Sequence, residues 1–287
     1  MIIYNPKDWW RLILGFHKSD TFRIMMPGIL AMALYTALVV YLEREVFHAG
    51  FRNTTSIHAL VGFVLSLLLV FRTNTAYDRW WEGRRLWGGF INQSRNLSLK
   101  LSVMIEDPAV RERFKILICN FIMAAKEQLR KGVKREELRA CDKYSVDDFM
   151  QTGHVPNHIM KLMFTEVNIL VKDRTISHEQ LLFINEELRS FTDQLGSCER
   201  IKKTPVPYSY SIFLKKIIFI YIASMPFGFA MEFAYWSVMI VPLLFYIFAS
   251  IELIAEEIED PFGMDDNDLP TDQIADTISR NLDDILG

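Results

Sequence analysis

Cysteine is scarce in this chain, and the common catalytic motifs are missing from it. The 287 residues include three cysteines, Cys119, Cys141 and Cys198, with neither metal-ligand nor redox spacing. A sparse, odd set is typical of free thiols in a reducing compartment. The sequence lacks a nucleophile–base pattern, a phosphate-binding loop and a dinucleotide fingerprint, so an enzyme is the weaker function class. The net charge of −3 gives no reason to expect a nucleic-acid partner.

Charged residues are missing from four long stretches. Residues 24–42 and 233–251 each give 19 positions without charge, residues 56–71 give 16, and residues 217–231 give 15. A helix needs about 20 apolar residues to cross the hydrocarbon core, so the shorter stretches require flanking helix. Glu232 separates the last two stretches. The simplest prediction is four membrane crossings, arranged as two hairpins.

Basic residues beside these stretches predict the orientation. Four of them precede the first span and five follow the second: Lys7, Arg11, Lys18, Arg23, and Arg72, Arg79, Arg84, Arg85, Arg95. Because Lys and Arg are enriched on cytoplasmic flanks, both termini are expected in the cytoplasm and residues 43–55 outside. No signal-peptide layout surrounds the first span, so it is expected to remain as a membrane helix.

Helix formers and amphipathic repeats dominate the polar middle of the chain, without strand alternation. The predicted fold class is therefore an all-α membrane protein. Thr271 is expected to cap a last short helix. The expected segments are an interfacial cytosolic N-terminal helix (1–23), a transmembrane hairpin (24–73), a cytosolic helical domain (74–208), a second transmembrane hairpin (209–254) and an acidic cytosolic tail (255–287).

Three apolar residues recur at a spacing of four in the second span: Phe63, Leu67 and Phe71. This spacing places them on one helical face. Such a stripe is most often a packing or lipid contact. Small residues beside it, such as Gly62 and Ser66, permit close approach of neighbouring helices. One hairpin cannot enclose a pore, but several copies around an axis could, and the stripe would then form a drying gate.

The acidic tail offers a candidate cation site. The run Asp265-Asp266-Asn267-Asp268 lacks the central glycine and the register of an EF-hand loop. One or two of these aspartates, with backbone carbonyls, could still bind a hard cation. The alternative is a solvated turn that caps a helix.

Three motifs make the chain resemble the bacterial branch of the bestrophin family. Residues 71–88, which contain Arg79-Trp80-Trp81, are similar to the family signature. Residues 258–263, with the aspartates that follow, resemble its Asn-Pro-Phe-Gly segment and acidic cluster. Residues 196–201 and 205–207 also match the bacterial branch. The resemblance covers nearly the whole chain.

The resemblance implies a homopentameric ion channel with four transmembrane helices per subunit around a central pore, and a cytosolic helical vestibule. It assigns the hydrophobic neck to Phe63, Leu67 and Phe71. It also assigns a membrane-exit anchor and a cytosolic aperture. The anchor residues are Arg79, Trp80 and Trp81. Counting back from Asn185-Glu186 places the aperture at His178, with Leu181 and Leu182 as alternatives; histidine departs from the family's usual aliphatic residue.

In animal bestrophins a calcium clasp opens the channel. Its aspartates correspond to Asp265 and Asp268, and its carbonyl donors to Glu257 and Asp260, so the resemblance implies a possible remnant calcium site. Met264 interrupts the acidic run, as does Asn267, and bacterial members generally lack a working clasp. No cofactor is therefore expected to be required.

The expected partners are further copies of the chain, membrane lipids and monovalent ions, in a bacterial inner membrane. The family includes chloride channels and a cation-selective bacterial branch, so the ion's sign stays open. The bacterial motifs favour sodium here, with a chloride or other anion channel as the alternative. A non-conducting membrane scaffold or sensor is the rival from another class.

Overall fold

A computed structural model describes residues 20–47 and 55–287. These residues form helices and no β-strand, which confirms the all-α prediction. A π turn at Leu42–Val46 follows the first helix, and 3₁₀ turns lie at Arg135–Glu137 and Ala234–Trp236. The α-helices are α1 (Asp20–Tyr41), α2 (Thr55–Met104), α3 (Pro108–Gln128), α4 (Val146–Phe149), α5 (Val155–Lys172), α6 (His178–Lys203), α7 (Tyr208–Phe233), α8 (Ser237–Glu259) and α9 (Thr271–Leu286).

The chain forms two compact units. The membrane unit contains the described residues up to Arg79 together with Pro205–Glu259, and the helical unit contains Trp80–Thr204 and Asp260–Gly287. Helix α2 continues without interruption across the boundary at residue 79, because no proline occurs in its 50 residues. The sequence therefore contains no helix break at residue 79. The predicted cytosolic helical domain begins at residue 74.

The membrane unit consists of α1, the first part of α2, α7 and α8. By length and composition, three helical segments could cross a membrane: Thr21–Val46, Ser56–Met104 and Tyr208–Glu259. The last comprises α7 and α8, which the 3₁₀ turn joins, so the described residues contain four apolar helices. Helix α8 packs against both α1 and α7. Their shared core is small: Met32, Leu65, Leu69, Ile218, Tyr221, Ile222, Met225 and Val241.

Glycine at position 62 permits a close contact in this core. A Cβ at Gly62 would overlap with the hydroxyl oxygen of Tyr221. That hydroxyl donates a hydrogen bond to the backbone oxygen of His58, at 3.0 Å. The contact ties α7 to α2 through a backbone carbonyl, and a larger residue at 62 would displace it.

The helical unit has a large aromatic core. Phe121 on α3 contacts Phe90 on α2 and Phe191 on α6 edge-on, with ring centroids 6.2 and 5.3 Å away. Trp87 contacts Phe90 edge-on at 5.5 Å. All four side chains are fully buried. Edge-to-face rings at these distances stabilise beyond their buried area.

The end of the chain belongs to the core of the helical unit. Phe262 and Leu269 are buried in it, and α9 packs on α3 through a stripe at a spacing of four. Thr271 was expected to cap this helix, but it is the first helical residue, and its hydroxyl accepts from Arg130 Nη2 at 2.9 Å. Residues 260–287 are therefore an integral part of this unit. The stripe consists of Ile274, Ile278, Leu282 and Leu286.

Candidate pore-lining face

Helix α2 presents two opposite faces within the membrane unit. One face is buried: Leu65, Leu69, Arg72 and Ala76 recur at spacings of four, three and four, and each is at most 2% exposed. The other face carries Phe63, Leu67 and Phe71, which are 64%, 44% and 62% exposed. Since successive helical residues are about 100° apart, the two sets lie on roughly opposite sides of the helix.

The exposed face becomes polar after Phe71. Asn74 and Asp78 follow at spacings of three and four, and both are exposed. They therefore continue the line of Phe63, Leu67 and Phe71 along the helix. The same face thus changes from three large apolar side chains to an amide and a carboxylate over about two turns.

A buried ion pair holds the inner side of α2. Arg72 is 1% exposed, and its Nη2 lies 2.6 Å from Glu259 Oε2. Its Nε lies 3.5 Å from Glu252 Oε2, which is too long for a well-formed hydrogen bond. The other oxygen of Glu259 accepts from the backbone N–H of Val206 at 2.6 Å. These contacts join α2 to the end of α8 and to Val206, two residues before α7.

Sequence reasoning missed this ion pair. It treated Arg72 as one of several cytoplasmic basic residues, because arginine at the end of a span usually marks orientation. A signal for burial was nevertheless present, since Arg72 continues the spacing of Leu65 and Leu69. A charge on the buried face of a membrane helix needs a carboxylate partner.

The three residues expected to anchor the membrane exit have different environments. Arg79 is half-buried in the membrane unit, and its Nε donates to the carbonyl of Glu259 at 3.0 Å. That carbonyl is at the C-terminus of α8, where helix carbonyls lack intrahelical partners. In the helical unit, Trp80 Nε1 donates to the backbone oxygen of Asn267 at 3.0 Å, whereas Trp81 is 49% exposed.

The aperture candidates lie at the start of α6. His178 is the first residue of this helix, after Ser177, whose side chain forms a capping box with Gln180. His178 and Leu182 are both exposed and lie on one face, four residues apart. Leu181 packs against the core of the helical unit. Of the three aperture candidates, His178 and Leu182 are therefore the exposed ones.

The expected calcium residues have different environments. Asp268 is 1% exposed, and one of its oxygens accepts from the backbone N–H of Asp265 at 2.6 Å. Burial raises the pKa of Asp268 to about 6. The carboxylates of Asp265 and Asp260 are exposed, and Glu257 belongs to the membrane unit.

Within the described ranges, no group of three or more His, Cys, Asp or Glu side chains is placed to hold a metal. The resemblance implies backbone carbonyl oxygens as the donors at Glu257 and Asp260, and carbonyl groups are not part of such side-chain clusters. The remnant calcium site therefore stays a prediction.

Comparisons with a family model and with known proteins indicate the same family. A family model described as bacterial/fungal bestrophin protein matches residues 1–284. A voltage-dependent anion channel-forming protein of Nostoc sp. is 40% identical over 287 residues, covering 97% of this chain and 92% of the relative. A protein of the same description from Escherichia coli K12 is 28% identical, covering 98% of this chain and 93% of its own length.

Comparison with solved structures indicates the same family. The crystal structure of a bacterial bestrophin homologue from Klebsiella pneumoniae matches with a TM-score of 0.85 at 27% identity, covering 92% of this chain and 98% of that one. The matches confirm the resemblance inferred from the motifs, and they confirm that the chain is not an enzyme. The protein is a membrane protein of the bacterial and fungal bestrophin family.

Proposed function

We propose that this chain is one subunit of a passive channel for small monovalent anions in the bacterial inner membrane, with both termini in the cytoplasm. The observation that carries the proposal is the exposed stripe of Phe63, Leu67 and Phe71 on α2, opposite that helix's buried face. A single copy cannot close a pore around this stripe. Five copies around one axis would place three apolar rings in succession.

The proposed neck works by dewetting. Rings of phenylalanine and leucine offer no hydrogen bonds to water or to an ion's hydration shell, so a narrow apolar constriction tends to dry out and block ions. The closed cyclic symmetry of homo-oligomers repeats each ring without extra sequence. The exposed His178 at the start of α6 is the proposed second constriction, with Leu182 as the alternative on the same face.

The names of the relatives support anions as the conducted ions. Proteins of Nostoc sp. and Escherichia coli that match nearly the whole chain are called voltage-dependent anion channel-forming proteins. The sodium preference expected from the sequence finds no support in these comparisons, and the anion alternative replaces it. The positive edges of the phenylalanine rings at positions 63 and 71 are compatible with a passing anion.

The proposed channel needs no cofactor. Bacterial bestrophins generally lack a working clasp, so opening is expected without calcium. Currents recorded with calcium chelated should equal those recorded with calcium added. A calcium-dependent increase that Asp268→Asn removes would contradict this part of the proposal.

Planar-bilayer recording tests the function directly. The purified protein should carry current, and Leu67→Ala should increase the conductance because it widens and wets the middle ring. Leu68→Ala is the matched control, since Leu68 is the next residue but lies about 100° away and is half-buried. Absence of current from wild type and from Leu67→Ala would favour the scaffold or sensor. Equal effects of the two substitutions would remove the neck assignment.

The sign of the ion is read from the reversal potential. In a sodium chloride gradient, an anion channel reverses towards the chloride equilibrium potential. A reversal at the sodium potential would overturn the anion proposal but keep the channel.

A further inference from the structure

The rotation of α2 is fixed in the membrane unit. Leu65 and Leu69 are buried in the core, and Arg72 is tied to Glu259 one turn later. Arg79 then donates to the Glu259 carbonyl. Because contacts hold the buried face at both ends of this segment, the residues on the opposite face are also fixed in direction.

Asp78 lies on that opposite face, beyond the apolar stripe. It follows Phe71 by seven residues, which places it almost in line with Phe71 and about 10 Å further along the helix. Its side chain is exposed. Across the described ranges, no hydrogen bond or ion pair links the Asp78 carboxylate to another residue. Between Phe71 and Asp78 the face carries the uncharged amide of Asn74.

We infer that Asp78 sets how strongly the channel discriminates between anions and cations. The inference rests on the proposed function, because it requires several copies of α2 around a pore. The copies of Asp78 would then form a ring of carboxylates beside the last apolar ring. This ring lowers the local concentration of anions and raises that of cations, so it limits the anion preference.

The position of Asp78 determines how strongly it affects ion selectivity. Phe63, Leu67 and Phe71 carry no charge, so the rings that they form select poorly by sign. Asp78 is the first charge on that face after the neck. Glu82 follows on the same face at a spacing of four and is half-buried. The first basic residue of that face is Arg85, seven residues after Asp78, at about one Debye length in physiological salt. An ion that leaves the neck therefore meets the carboxylates before it meets a compensating cation.

Reversal potentials of single substitutions test the inference. Asp78→Asn removes the charge with almost no change in shape, and Asp78→Glu keeps it. Glu256→Gln is the matched control, because Glu256 is another exposed carboxylate of the membrane unit, paired with Lys215 on α7 at 2.8 Å. All variants are measured in the same sodium chloride gradient.

Asp78→Asn should raise the chloride-to-sodium permeability ratio by roughly threefold, as expected for a few screened charges near a narrow path. Asp78→Glu and Glu256→Gln should keep the wild-type ratio. If Asp78→Asn keeps it while Leu67→Ala still increases the current, the channel stands and Asp78 has no such role. No current from any variant removes the channel and this inference together.

A measurement on the wild type covers the case in which Asp78→Asn fails to assemble. Raising the salt from about 0.01 M to about 1 M shortens the Debye length from about 30 Å to about 3 Å. Screening of the carboxylate ring should then raise the chloride-to-sodium permeability ratio. An unchanged ratio over this range would contradict the inference.

Discussion

The two units of this protein place their large apolar side chains in opposite ways. In the helical unit Trp87, Phe90, Phe121 and Phe191 are fully buried. In the membrane unit large apolar side chains such as Phe63 and Phe71 are more than half exposed, and a charged residue, Arg72, is buried. The hydrophobic effect therefore stabilises the helical unit through its core. The membrane unit depends more on a few polar contacts, because lipid is as apolar as its side chains.

The first prediction contrasts two phenylalanines. Phe121→Ala should lower the free energy of unfolding of the helical unit by about 3–5 kcal/mol, since it leaves a cavity beside the rings of Phe90 and Phe191. Phe71→Ala removes the same atoms from an exposed position and should leave folding nearly unchanged. Denaturant unfolding in detergent micelles, followed by tryptophan fluorescence, measures both. Similar losses of stability in the two variants would contradict this difference between the two units.

The second prediction concerns the buried charge. Arg72→Met should destabilise the membrane unit by about 3 kcal/mol or more, because Glu259 and Glu252 are left without their cation. Arg189→Ala is the control. Arg189 pairs with Asp193 at the surface of the helical unit, where an i,i+4 pair contributes about 0.3–0.5 kcal/mol.

Thermal unfolding in detergent would show the difference between Arg72→Met and Arg189→Ala. Partial recovery of the stability in the double variant Arg72→Met/Glu259→Gln would sharpen the assignment. A wild-type melting temperature for Arg72→Met would contradict it.

The third prediction concerns pH and Asp268. Burial raises its folded pKa to about 6, above the usual value of about 3.9. Between these two values the folded chain binds a proton that the unfolded chain does not. The helical unit should therefore lose stability as pH rises from about 4 to about 6, by at most about 3 kcal/mol from this group. Asp268→Asn should flatten that part of the profile and stabilise the unit at pH 7.

The smallest predicted effect comes from Asp272. Arg130 lies 2.6 Å away, and together with Lys126 it holds the pKa of Asp272 below its usual range. A carboxyl with a lowered folded pKa contributes stability above its unfolded pKa and loses it as pH falls. Attachment of α9 should thus weaken below about pH 4. Hydrogen exchange of α9 would measure this, and Asp272→Asn should show no acid-dependent increase from this group.

The sequence predicted the apolar helices and the stripe on α2, because helical periodicity and uncharged runs depend on local order along the chain. Two features depend on distant partners and were missed. The burial of Arg72 requires Glu259, which is 187 positions later. The integration of the tail requires α3 as a surface for α9, although the spacing of Ile274, Ile278 and Leu282 was readable.

Cysteine accessibility tests most directly whether one face of α2 lines a pore. Single cysteines placed at positions 63 to 71, in a background with Cys141→Ser, would be exposed to silver ions while current is recorded. The native Cys119 and Cys198 are buried. Fast block is expected at 63, 67 and 71, and slow or no block at 65, 68 and 69. Equal block at all positions, or fastest block at 65 and 69, would contradict it.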